Sequence, residues 1–184
     1  MNKCSRVLTV VVVCLLGGGA VLFAQLPVPT YGWNLGNTLE PPSGEGTWNN
    51  PAVTQAMINA VADAGFNVIR IPCAWDSHAN QSTYVIDSAY LTRVKEVVDW
   101  CYGAGLHVII NCHWDGGWLE NNITDTVNST INAKQSSYWT QIANTFVNYD
   151  DRLLFAGCNE PGADTAAEEE DEGAIDKDRL RPLF

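Results

Sequence analysis

The sequence of 184 residues lacks the motifs of several large enzyme classes. It contains no G-x-G-x-x-G after an apolar run, no G-x-x-x-x-G-K-[ST] and no G-x-S-x-G, so dinucleotide-binding, P-loop and α/β-hydrolase chemistry have no support. It also contains no C-x-x-C pair, the close spacing that is typical of zinc sites. Any catalytic chemistry must therefore come from carboxylate, His, Arg and Trp side chains.

Positive charge is scarce, with 10 Lys and Arg against 21 Asp and Glu and a formal net charge of −11. Much of the acidic excess lies between Asp164 and Asp178. A block of like charges is typically solvated, so we expect residues 165–184 to form an acidic, disordered tail. Such a tail repels nucleic acid and anionic membranes, and neither is expected as a partner.

Long apolar runs are absent after residue 24. Before it, Lys3 and Arg6 precede an apolar stretch that ends in small residues, the layout of a secretory signal peptide. We therefore expect residues 1–24 to be a signal peptide and the chain to be secreted or periplasmic, with a retained N-terminal anchor as the alternative. No later run approaches the roughly 18 to 20 apolar residues that span a bilayer.

Cysteine is also sparse once the signal segment is set aside, and four thiols remain at Cys73, Cys101, Cys112 and Cys158. An exported chain permits disulfides. These cysteines mostly end apolar runs, however, which favours buried free thiols and leaves a disulfide as the alternative.

Four short runs rich in β-branched or aromatic residues, at 31–36, 67–72, 106–111 and 153–157, are predicted to be strands. Helical spacing follows Asn50 and Asp87, which we predict to be N-caps, with Pro51 at the first helical position. A third helix is predicted at 137–148, where Tyr138, Ile142 and Phe146 fall on one side and should be buried. Strands alternating with helices predict one α/β domain with a parallel sheet, over residues 25–164.

Right-handed crossovers bring the C-terminal ends of parallel strands to one edge of the sheet. Most of the unusual polar and aromatic residues follow the predicted strands, which indicates a ligand site at this edge: Asn37, Glu40, Trp75, Asp76, His78, His113, Trp114, Asp115, Trp118, Asn159 and Glu160. Arg70 lies inside a strand, where an unpaired charge is costly, so it should pair with a carboxylate or point into the site.

Glu160 is the candidate general acid, because we expect apolar surroundings at the strand end to disfavour its charged form, so that it can deliver a proton to a substrate oxygen. A simple strand-to-loop turn at "NEP" is the alternative. His113 and Asn159 can hydrogen-bond the carboxylate or a hydroxyl group. Trp side chains near the edge offer flat faces that suit pyranose rings, so a saccharide is favoured over a small anion.

Four ordered blocks, "GWNLGNTLE", "AGFNVIRIPCAW", "GLHVIINCHWDGGWLENN" and "LLFAGCNEPGAD", resemble glycoside hydrolase family 5, especially its endo-β-1,4-glucanases. The resemblance covers about residues 31 to 164. It implies a (β/α)8 barrel, of which the chain would hold the first four βα units, and retaining hydrolysis of β-1,4-linked glucan without metal or organic cofactor. It also implies Glu160 as the acid/base, with Arg70, His113 and Asn159 beside it.

The resemblance further implies substrate contacts for Asn34 and Asn37 and contact with sugar hydroxyls for Asp115. The flat faces of Trp75, Trp114 and Trp118 are also expected to contact substrate. The family's nucleophilic Glu comes from a seventh strand, and no counterpart is present, so we expect a truncated chain with weak or no activity. The alternative is a non-catalytic carbohydrate-binding protein or a non-functional fragment. Open sheet edges would favour self-association.

Overall fold

The computed structural model describes residues 28–123 and 126–161, and the signal peptide and acidic tail predicted from the sequence lie outside this part of the chain. Strands and helices alternate along it. They are β1 (Gly32–Asn34), α1 (Gln55–Asp63), β2 (Val68–Ile71), α2 (Ser88–Gly103), β3 (His107–Asn111), α3 (Ser129–Thr145) and β4 (Leu153–Ala156). Two short 3-10 turns, Asp115–Gly117 and Glu120–Asn122, lie between β3 and α3.

The four strands form one parallel sheet in the order β1-β2-β3-β4. Because each new strand is added on the same side, right-handed crossovers carry all the intervening helices to one face of the sheet. A doubly wound sheet would instead reverse its strand order. The arrangement is that of consecutive units of a (β/α)8 barrel and confirms the expected fold class.

The start of α1 differs from the prediction. Thr54 is the N-cap, with its side chain accepting a hydrogen bond from the Met57 amide. Asn50 instead donates from Nδ2 to the Gly36 carbonyl at 2.9 Å, so it fastens the loop after β1. Pro51 therefore precedes the helix rather than beginning it.

The start of α2 agrees with the prediction, because Asp87 caps the helix by accepting from the Ala89 amide at 2.7 Å. Helix α3 begins at Ser129, well before the predicted residue 137, and Asn128 caps it. Its early turns are mostly polar and give little helical periodicity. Tyr138 and Ile142, the residues behind the prediction, are buried as expected.

The core lies between the sheet and the helices. Alternate strand residues face the helices and are almost completely buried: Ile69, Ile71, Val108 and Ile110. The helices contribute Ile58, Val94, Val98 and Ile142 to the same cluster. Burying such a side chain contributes about 1.5 to 3 kcal/mol, so this layer holds the sheet edge in place.

In the described part of the chain the four cysteines form no disulfide, and Cys73, Cys101 and Cys112 are buried, as the sequence favoured. Burial raises the pKa of the Cys101 thiol to about 12. Among the described residues, no helix has the length and apolar character needed to cross a membrane.

Candidate active site

Arg70 is the centre of the candidate site. Its Nη1 donates to Asn34 Oδ1 at 2.8 Å, and its Nη2 donates to Asn159 Oδ1 at 2.5 Å. The same Nη2 lies 3.4 Å from Nδ1 of His113. The guanidinium therefore joins residues from the ends of β1, β3 and β4, which the parallel register brings to one edge.

Gly36 makes possible the contact between Asn34, at the end of β1, and Arg70. A Cβ atom at Gly36 would lie 2.8 Å from Asn34 Nδ2, closer than real Cβ atoms are found to their neighbours. The missing side chain leaves room for the Asn34 amide, which can then present Oδ1 to Arg70.

His113 is a neutral imidazole in this surrounding. Burial lowers its pKa, and the positive charge of Arg70 lowers it further, although Glu40 and Glu160 oppose this. Nδ1 faces Arg70 Nη2 at 3.4 Å and Asn111 Nδ2 at 3.3 Å, and both of these groups are donors. Nδ1 must therefore accept, which places the proton on Nε2 and leaves an N–H donor for a ligand.

Asn159 and Glu160 follow β4. The Asn159 amide donates to the Cys112 carbonyl at 2.9 Å, which continues the pairing of β3 with β4 past the strand end. Glu160 has φ 43°, a left-handed conformation that is uncommon for a residue with a side chain. We expected apolar surroundings for Glu160, but its side chain is exposed and open to a substrate.

Two other strand-end acids are buried. Glu40 accepts from the backbone amides of Asn37 and Thr38, the second at 2.8 Å. Asp115 accepts from the Asp76 amide and from the amide and hydroxyl of Ser77. Burial raises the pKa of the Asp115 carboxyl against these hydrogen bonds.

Burial changes the interpretation of Asp115, which is 3% exposed. We expected it to contact a sugar hydroxyl, but its oxygens bind the loop that follows β2 and it has almost no surface left for a ligand. Asn37 is exposed and has φ 57°. Its backbone amide donates a hydrogen bond to the Glu40 carboxylate.

The tryptophans separate into core and surface. Trp75 was expected to contact substrate, but it is completely buried, and its Nε1 donates to the Asn111 carbonyl at 2.9 Å. It is therefore a core residue, because it has no exposed face for a sugar ring. Trp114 is 45% exposed and keeps an open face beside His113 in the chain.

Trp118 is half-buried, and its ring packs against side chains of α3. Its ring meets Tyr138 edge-on at a centroid distance of 5.5 Å, and Lys134 Nζ lies 5.2 Å from the ring centroid. Lys134 also forms an ion pair with Asp76 at 2.7 Å. The loops after β2 and β3 are thus held to α3 by a largely buried polar network.

Sequence reasoning missed two residues of the site. Asn111 ends β3 with its side chain buried between the Cys73 amide and His113. Its place as the last, polar residue of an apolar strand was the available signal. Glu120 accepts from Asn159 Nδ2 at 3.2 Å. It lies in an irregular loop, and no sequence pattern pointed to it.

Across residues 28–123 and 126–161, no three His, Cys, Asp or Glu side chains converge as metal ligands. The site residues are instead bound to one another and to backbone groups. The arrangement offers one exposed carboxylate, one neutral imidazole N–H, amide groups and an open Trp face, which together suit a polyhydroxylated ligand.

Comparison with known proteins points to one family. Residues 30–177 match the family model described as cellulase, glycosyl hydrolase family 5. Endoglucanase B of Clostridium cellulovorans is 42% identical over 139 residues, which cover 75% of this chain and 31% of that protein. The chain thus spans about a third of this relative's length.

Solved structures with the same fold include two that contain oligosaccharides. A family 5, subfamily 4 endo-β-1,4-glucanase from Bacillus licheniformis, complexed with cellotetraose, has a TM-score of 0.69 and 36% identity over 77% of this chain and 28% of that one. A Bacteroides ovatus family 5 xyloglucanase, in complex with a XXXG heptasaccharide, has a TM-score of 0.71 and 36% identity. The match covers 78% of this chain and 34% of that one.

Proposed function

Since the chain belongs to glycosyl hydrolase family 5, the cellulase family, we propose that its strand-end site binds β-1,4-linked glucan and is the acid/base half of a retaining glycosidase site. The observation that carries this proposal is the Arg70 cluster. It joins Asn34, His113 and Asn159 directly beside an exposed Glu160.

Glucan is the substrate class best supported by the surface and by the relatives. The amide and imidazole groups can hydrogen-bond sugar hydroxyls, and the open Trp114 face can pack on a pyranose ring. The Bacillus licheniformis relative was solved with cellotetraose, a β-1,4-linked glucose oligomer. The Bacteroides ovatus relative extends this class to xyloglucan.

In this mechanism, the carboxylic acid of Glu160 donates its proton to the glycosidic oxygen as the bond to the anomeric carbon breaks. A second carboxylate, about 5 to 5.5 Å from the first, attacks the anomeric carbon and forms a glycosyl-enzyme. Water then attacks the anomeric carbon and breaks its bond to the carboxylate, and Glu160 acts as the base that accepts the proton of that water.

We propose that the 184-residue chain alone binds oligosaccharide but cleaves it slowly. The other acids near the site in the described part of the chain are occupied. Glu40 and Asp115 are buried against backbone amides, and Glu120 accepts from Asn159. None of these three carboxylates is placed as an open nucleophile.

The test is hydrolysis of reducing-end-labelled cellotetraose by the purified chain, with Glu160→Gln as the matched variant. Binding by both proteins, with slow turnover by the wild-type chain and less by Glu160→Gln, supports the proposal. Rapid turnover that Glu160→Gln abolishes would show a complete retaining site and overturn the claim of slow cleavage. Absence of binding in both would overturn the proposed function itself.

We also propose that the protein is exported. Its N-terminal residues have the charge and apolar pattern of a signal peptide, and polymeric glucan is met outside the cell. N-terminal sequencing of the protein from the culture medium tests this, with a start after residue 24 as the expected result.

A further inference from the structure

The side-chain amide of Asn159 is held at both ends. Its Oδ1 accepts from Arg70 Nη2 at 2.5 Å, and its Nδ2 donates to Glu120 Oε1 at 3.2 Å. Arginine can only donate and an ionised carboxylate can only accept, so the two partners cannot exchange ends. The amide of Asn159 therefore has a single orientation in this site.

We propose that Glu120 is a positioning residue for the acid/base Glu160, acting through Asn159. The inference deepens the proposed function and rests on it for the role of Glu160. By accepting from Nδ2, Glu120 keeps the Asn159 oxygen turned toward Arg70 and fixes the residue that precedes Glu160.

The backbone explains why Glu160 needs such support. Its φ of 43° lies in the left-handed region, which is strained for a residue with a Cβ atom. A conformation of this kind persists only where its neighbours hold it. Asn159 is fixed by its own amide, which donates to the Cys112 carbonyl at 2.9 Å, and by its two side-chain contacts.

The placement of Glu120 is electrostatically costly. Burial raises the pKa of its carboxyl, and the nearby charge of Glu160 raises it further, whereas the hydrogen bond from Asn159 lowers it. An acid in an ordinary surface turn would avoid both the desolvation and the like charge. The bond to Asn159 is the contact that compensates for this position.

The affinity for a glucan should also depend on the contact between Glu120 and Asn159. A hydroxyl of the glucan that approaches Arg70 and Asn159 meets an amide whose donor and acceptor ends are already assigned. When Glu120 no longer accepts, the amide can rotate, and the ligand must then restrict it on binding.

The experiment measures hydrogen exchange of the Asn159 side-chain NH₂ by NMR, together with the Kd for cellotetraose. Glu120→Ala removes the acceptor, and we expect amide exchange about tenfold faster and a Kd about tenfold weaker. Glu120→Gln keeps a neutral oxygen at the same reach and should restore both values. Glu96→Ala, at an exposed position on α2, is the matched control and should change neither.

Unchanged Asn159 exchange in Glu120→Ala, or failure of Glu120→Gln to restore it, would overturn the proposal. If Glu120→Ala does not fold, Glu120→Met supplies a side chain of similar length without an acceptor oxygen. The amide readout needs no ligand, so it decides the positioning role even if cellotetraose does not bind the wild-type chain. In that event only the proposed function fails.

Discussion

At the residue scale, the ionisation of His113 follows directly from its neighbours. Burial and the charge of Arg70 both lower its pKa. We predict that Arg70→Met raises the pKa of His113 toward the ordinary value of about 6.5, because the positive charge is removed while most of the burial stays. Titration of the His113 ring signals by NMR measures this, and Arg93→Met, which alters a charge on α2, should leave them unchanged.

The same shift predicts how stability depends on pH. A lowered pKa means that the unfolded chain binds a proton on His113 before the folded chain does as pH falls. The stabilising contribution of neutral His113 is therefore complete above about pH 6.5 and is lost as pH falls through the lowered value. Urea unfolding at several pH values should show this loss in the wild-type chain and a smaller loss in His113→Gln.

Asp115 provides a stability test within the same site. We predict that Asp115→Ala lowers the free energy of unfolding by about 1.5 to 3 kcal/mol, because the amides of Asp76 and Ser77 lose a charged acceptor. Asp115→Asn, which keeps one acceptor oxygen, should lose less. Equal urea midpoints for wild type and Asp115→Ala would contradict the structural role assigned to this carboxylate.

At the scale of elements, the N-cap of α2 is the clearest local signal in the chain. Asp87→Ala should cost about 1 kcal/mol, since the Ala89 amide loses its partner, whereas Asp87→Asn should be close to neutral. Thermal or urea unfolding of the two variants decides this. Similar losses for both would mean that the charge of Asp87, and not its capping oxygen, stabilises the helix.

The strands were predictable because each lies in a short run that is rich in β-branched or aromatic residues. The start of α1 was not, because Asn50-Pro51 has the composition of a helix start while tertiary contact draws Asn50 to Gly36. The early turns of α3 also escaped prediction, because a polar helix surface carries little periodicity.

The site was partly predictable for a related reason. Position after a parallel strand was enough to predict His113, Asn159 and Glu160 at one edge, and the cost of an unpaired charge inside β2 was the signal for Arg70. Burial depends on neighbours that are distant in sequence, so Trp75 and Asp115 could not be recognised as buried residues. Glu120 escaped because its contact with Asn159 spans 39 residues and crosses an irregular loop.

At the scale of the whole molecule, parallel strand order explains why one arginine can organise the site. Sequential strands bring their C-terminal ends side by side. The helices cover one face of the sheet and do not cover these strand ends. The edge is thus left open to ligand while the core below it stays closed. A glucan should therefore bind at the strand ends without disturbing the helix layer.

The central claim is that this edge is a β-glucan site, and its most direct test is an NMR titration of the chain with cellotetraose. We expect concentration-dependent shifts at Asn34, His113, Trp114 and Asn159 and unchanged signals at Met57 and Lys95 on the helices. Maltotetraose, the α-linked isomer, should give weaker shifts. Absence of shifts with cellotetraose, or shifts confined to the helix layer, would contradict the account.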